Sequence, residues 1–120
     1  MRFQILLTSL FIFGGQSCTV TDKQFEDVLK YPDSFHDEEI EITGIFHDKF
    51  EDFALYLTKD SDKNNALWVE FSETFMLLNT IEGSLDGHQV RIRGIFDKND
   101  KGHLGQYSGS LKGAYLITLE

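Results

Sequence analysis

The sequence has one cysteine, one proline and few basic residues, 11 Lys and Arg against 20 Asp and Glu, for a net charge of −9. A single cysteine excludes an intramolecular disulfide framework, so a core must hold the fold. With one proline and no Pro-, Gly- or Ser-rich stretch, nothing reads as a linker, and no second domain is expected. The acidic balance repels phosphate backbones, whose neutralisation is the main source of nucleic-acid affinity. Nucleic acid is therefore excluded as a partner. No apolar run approaches the roughly 20 residues of a membrane-spanning helix. The most apolar stretch, Ile5 to Phe13, has nine.

What is present begins with that stretch. Met1-Arg2-Phe3 is a short positive start, Ile5 to Phe13 an apolar centre, and Gly14-Gly15-Gln16-Ser17 a small-residue exit before Cys18. This is the order of a cleavable secretory signal. Residues 1–17 are expected to be removed and 18–120 to remain as one domain. The removal takes away Arg2 and no acid, which leaves 10 basic against 20 acidic residues, or −10. A cysteine at the first mature position resembles that of bacterial lipoproteins, whose cysteine thiol carries diacylglycerol. The resemblance implies lipid attachment at Cys18 and a place on the periplasmic side of a membrane. Lipoprotein signals usually have Leu three residues before the cysteine, where Gly15 stands here. Gly15 and Ser17 also suit an ordinary signal peptidase, which would leave the domain soluble in the periplasm or secreted. The lone cysteine favours the lipoprotein reading.

Thr21 with Gln24 forms a capping box, and Val20 with Phe25 a hydrophobic staple. Phe25, Val28 and Leu29 then make an apolar stripe at helical spacing, stopped at Tyr31-Pro32-Asp33. An internal repeat follows: residues 35–46 match residues 85–96 at an offset of 50, with four identities. Each copy enters from a turn, alternates (Ile40, Ile42; Val90, Ile92) and ends in Gly-Ile-Phe. Each predicts a strand with one buried face, bent at its glycine. Between them, Phe53 to Thr58 and Ala66 to Phe71 read as a hairpin around the polar turn 60–65. Ser72 caps a short helix through Phe75, Met76 and Leu78, ending near Asn79. A glycine-rich loop precedes a last alternating segment, Tyr115 to Leu119.

Helix, three strands, short helix and two strands predict a mainly β fold, a five-stranded OB-fold-like barrel. It has an N-terminal helix and a short helix between strands 3 and 4, and the two repeat copies should pair as strands 1 and 4. The sequence also resembles a group of small bacterial exported proteins with OB-like domains and no assigned activity. The carrying residues are Ile40 to Phe46, Ala54 to Leu57, Ala66 to Val69 and Lys101 to Ser110, and the resemblance implies fold rather than function.

Motifs for chemistry are sparse. Asp60-Ser61-Asp62-Lys63-Asn64 opens like a calcium loop, but Asn65 and Phe71 stand where glycine and a bidentate glutamate are needed. His36, His47, His88 and His103 show no H-x-H or H-x3-H spacing and read as solvated loop residues, so neither metal nor cofactor is expected. Tyr107-Ser108-Gly109-Ser110 is not a nucleophile elbow. If Leu55, Leu57, Leu67, Val69 and Phe71 point inward, Tyr56 and Trp68 point outward as neighbours across the hairpin, where OB-folds commonly bind ligands. The alternative is that the N-terminal helix covers them. Tyr56, Trp68, His103 and Tyr107 are thus the candidate ligand-binding residues, with no catalytic residue assigned. The expected function is a non-catalytic binding or interaction module of the bacterial cell envelope, with an envelope protein or small ligand as partner. The runner-up is a small hydrolase or metal-dependent envelope enzyme using the 97–110 loop, with His103 acting beside Asp97 or Ser108.

Overall fold

In a computed structural model, residues 22–78 and 85–119 are described, with only the backbone of 76–78. The signal segment 1–17, Cys18, Val20, Thr21 and the expected helix end at Asn79 lie outside these residues. Five strands close into a barrel: β1 (Glu39–Lys49), β2 (Asp52–Tyr56), β3 (Ala66–Phe71), β4 (Gln89–Asp97) and β5 (Ser110–Leu119). Around the barrel the order is β1-β2-β3-β5-β4, and only the β3–β5 contact is parallel. Helix α1 (Lys23–Lys30) and the one-turn α2 (Pro32–Phe35) precede β1, and α3 (Glu73–Leu78) lies between β3 and β4. This is the expected OB-fold-like barrel. The proline that ends α1 also begins α2, since a first helical position needs no N–H.

The repeat explains how the barrel closes. Its copies pair antiparallel about the Ile42–Ile92 pair, themselves equivalent positions, with Gly44 opposite Val90 and Gly94 opposite Ile40. A local two-fold therefore relates the two strands. It extends to their entries: Asp37 N–H donates to the Phe96 carbonyl, and Gly87 N–H to the Phe46 carbonyl, both at 2.8 Å. Asp37 and Gly87 share a left-handed backbone, with φ of 68° and 79°. One step further, the Lys98 N–H donates to His36 Nδ1 and the Asp48 N–H to Asp86 Oδ1. The His36 proton thereby sits on Nε2.

Alternation along β1 and β4 buries Ile40, Ile42, Phe46, Val90, Ile92 and Phe96. Leu55, Leu67, Val69 and Leu111 meet them inside the barrel, and α1 adds Phe25 and Val28. Burying a side chain of this size contributes about 1.5–3 kcal/mol. Gly44 lets the helix in: a Cβ there would collide with the Tyr56 carbonyl and lie 3.0 Å from the Phe25 ring.

Two expectations shift by a few residues. The N-cap of α1 is Asp22, one residue past Thr21. Its Oδ1 accepts from the Gln24 and Phe25 N–H groups, and its Oδ2 from the Thr43 N–H of β1 at 2.6 Å. A carboxylate can serve helix and sheet together, and the sheet contact decides the position. β5 begins at Ser110 rather than Tyr115. Gly113, at φ 57°, and the register shifts on both sides of β5 break the alternation that would have revealed the strand.

Candidate functional site

The β2–β3 hairpin carries Leu55, Leu67 and Val69 inside the barrel and Tyr56 and Trp68 outside, as its alternation requires. The outer face is covered by the β4–β5 loop, residues 98–109, and not by α1. Ala54, Tyr56, Ala66 and Tyr107 form a second small core there, with Trp68 packed at its edge.

Hydrogen bonds hold the loop against the hairpin. Ser108 N–H donates to the Ala66 carbonyl and Trp68 N–H to the Gly109 carbonyl, both within 3.1 Å. The Ser108 hydroxyl donates to the Asn64 carbonyl, and the Ser110 hydroxyl to that of Asp100. The Asp100 carboxylate accepts from the Gly102 N–H and lies 2.5 Å from Lys112 Nζ. Lys112 first, then the Gly102 N–H, holds its pKa below the usual carboxylate value. Gly102 (φ 70°) rests on the Trp68 side chain, and a Cβ there would stand 2.6 Å from Trp68 Cβ. No other residue fits this contact without moving the indole.

Asp52 joins the two loops. Its Oδ1 accepts the hydroxyls of Tyr56 at 2.6 Å and Tyr107 at 2.8 Å, and its Oδ2 lies 2.6 Å from His47 Nδ1. Since an ionised carboxylate only accepts, His47 Nδ1 carries a hydrogen. The His47 ring stacks on Tyr56 at 3.8 Å. Burial pushes the Asp52 carboxyl up, but the Tyr56, His47 and Tyr107 hydrogen bonds together outweigh it, and its pKa falls below the ordinary value. Burial, followed by the hydrogen bonds to Asp52, raises the pKa of both tyrosines. His47 is therefore a bonded strand residue, not a solvated loop histidine.

Beside this network is an open groove of about 430 Å³. The β1–β2 turn contributes Lys49, Phe50, Glu51 and Asp52; the far side carries Lys63, His103, Leu104 and Gln106. Phe50 is 94% exposed and Leu104 77%. Leu104 is held at φ 58°, ψ 16°, a left-handed conformation that costs a branched side chain about 1–2 kcal/mol. It has almost no packing to offset that cost.

All four sequence-predicted residues meet here, in different roles. Tyr56 and Tyr107 are 3% and 2% exposed, with hydroxyls committed to Asp52. Trp68 is half-buried, 5.3 Å from the Tyr107 ring and 6.2 Å from the nearly parallel His103 ring. His103 reaches the groove. Sequence reasoning missed Phe50, Leu104, Asp52 and His47. The signal for the first two was a lone apolar residue inside a charged turn and inside a Gly-flanked loop. For the other residues of the 97–110 loop, Asp97 Oδ1 accepts from the Asn99 N–H, and Ser108 is taken by Asn64. Among the described residues no hydrogen bond joins His103 to either, and no helix is long and apolar enough to cross a membrane.

Compared with protein-family models, with curated proteins and with solved structures, the chain matches none.

Proposed function

We propose that this protein is a non-catalytic binding module of the bacterial cell envelope, exported by residues 1–17 and anchored through a lipid on Cys18. Its contact surface is the groove between the β1–β2 turn and the β4–β5 loop. The observation that carries this reading is Leu104, an apolar side chain presented to solvent from a strained backbone opposite the fully open Phe50. Strain and exposure both cost free energy, and a loop so firmly tied elsewhere has no folding need for either. In OB-folds these same two loops flank the ligand face. The Asp52 network supports the reading by fixing both walls in advance, which lowers the ordering cost of binding.

The test is photo-crosslinking in living cells from positions 50 and 104, with Glu39 at the other end of β1 as the control. The reading expects a discrete adduct from 50 and 104 and none from 39. Adducts from 39 alone, or from none of the three, would overturn it.

A further inference from the structure

Each wall of the groove carries one exposed apolar side chain, Phe50 on the β1–β2 turn and Leu104 on the β4–β5 loop, and the rest of the lining is polar. Its formal charges cancel: Lys49 and Lys63 stand against Glu51 and Asp52, on a chain of net charge −9. A lining with both signs in equal number exerts no long-range pull on a charged partner, and an anionic one also meets the repulsion of the whole chain. What the groove offers instead is apolar contact from two sides and hydrogen bonds of both kinds. Asp52 accepts from Tyr56, Tyr107 and His47, and a carboxylate has about four acceptor sites, so one stays open. The Glu51 carboxylate and the Gln106 side-chain carbonyl also accept, while the Gln106 amide, Lys49 and Lys63 donate. Among the described residues, the side chains of Lys49, Glu51, Lys63 and Gln106 are engaged in no hydrogen bond or ion pair.

Resting on the binding role proposed above, we infer that the groove's partner is an uncharged saccharide. A pyranose ring with equatorial substituents has C–H bonds on both faces and hydroxyls around its rim. Between Phe50 and Leu104 such a ring presents C–H bonds to both walls and turns its hydroxyls to the polar lining. The electron-rich face of the Phe50 ring suits C–H bonds directed at it. A hydroxyl both donates and accepts, so one sugar hydroxyl can use a carboxylate and an ammonium together. The groove's volume of about 430 Å³ lies within the usual range of small-ligand sites, about 300–1,000 Å³. A peptide fits less well. It would need a strand edge to extend, which the closed barrel does not offer, or an enclosed pocket for an anchoring side chain, and this groove is open.

The experiment screens the full chain on an array of neutral, anionic and cationic oligosaccharides, then measures each hit by isothermal titration calorimetry. The inference expects hits among neutral oligosaccharides of equatorially substituted rings. Their affinity should be unchanged from about 0.05 to about 0.5 M salt, because no charge is neutralised on binding. It should fall about tenfold in Phe50→Ser/Leu104→Ser, which removes both apolar walls, and by a similar factor in Glu51→Ala/Gln106→Ala. All four side chains are exposed, and circular dichroism checks that each variant is folded. Hits confined to charged oligosaccharides, binding that weakens as salt rises, or no hit overturns the inference. So does a neutral hit that both variants bind like the parent, which would put its site elsewhere. Crosslinking in cells separates this inference from the binding role. Adducts from 50 and 104 that contain a peptide and no sugar keep the groove as the contact surface and overturn the saccharide; no adduct from either overturns both.

Discussion

Replacing Tyr107 with Phe removes one oxygen from a 2.8 Å hydrogen bond to Asp52 and leaves the ring in place. A hydrogen bond to an ionised group contributes about 1.5–3 kcal/mol. The Asp52 side chain is 20% exposed, so water can replace part of what is lost, and the expected cost is about 1–2 kcal/mol. For a domain of this size that is about 4–8 °C in Tm per kcal/mol. Tyr56 donates to the same Oδ1, at 2.6 Å. The two removals should therefore not add: Tyr56→Phe/Tyr107→Phe should cost at least about 0.5 kcal/mol more than the sum of the singles. The carboxylate left with fewer donors should also titrate at higher pH. Urea denaturation of the three variants, followed by circular dichroism at pH 7 and pH 4, measures all of this. A Tyr107→Phe variant within about 0.3 kcal/mol of the parent would refute the role of Asp52 as the link between the loops.

Gly102 and Gly105 both have a positive φ, 70° and 66°, but Gly102 combines it with a ψ of −155°, a region that essentially only glycine adopts, and only Gly102 lies against a neighbour. Gly105→Ala should cost about 1 kcal/mol of backbone strain. Gly102→Ala should cost about 2–4 kcal/mol, from backbone strain and the contact together, and shift the Trp68 emission, because the indole must move; an unshifted emission would contradict the contact. Asp33, Glu41, Asp52 and Asp100 all have pKa values below the ordinary range in the folded chain. Each adds stability that is complete above the unfolded value near pH 4 and is lost as pH falls through the lower folded value. Denaturation midpoints should thus hold from pH 7 to 5 and drop below about pH 4, and a flat profile to pH 3 would count against these pairings. Mass spectrometry of the chain from its native membranes should find Cys18 first and diacylated; an intact residue 1, or an unmodified start, would remove the anchor.

The barrel was legible because its closing strand pair is written twice. Ile42 and Ile92, Gly44 and Gly94, and Phe46 and Phe96 stand 50 residues apart, and the two strands pair about a local two-fold. Short-range periodicity also revealed the hairpin and the cap at Ser72, whose hydroxyl accepts from the Phe75 N–H. What alternation cannot express stayed hidden. A bulged strand with a left-handed Gly113 does not alternate, and a cap chosen by Thr43, 21 residues away, leaves no local trace. Outward direction was readable for Tyr56 and Trp68, but exposure was not. The loop that buries Tyr56 arrives from residues 98–109, and Asp52 looked like one more acid in a polar turn. Phe50 and Leu104 went unnoticed because an apolar residue in a loop is usually assumed to find cover.

The claim that the groove is the working surface is tested most directly by amide chemical-shift mapping of the ¹⁵N-labelled chain, titrated with the partner recovered by crosslinking. The account predicts shifts concentrated at residues 48–52 and 101–107, with Lys63 included and the β4 arginines, Arg91 and Arg93, unmoved. Shifts confined to the β4 face, with Phe50 and Leu104 unperturbed, would contradict it.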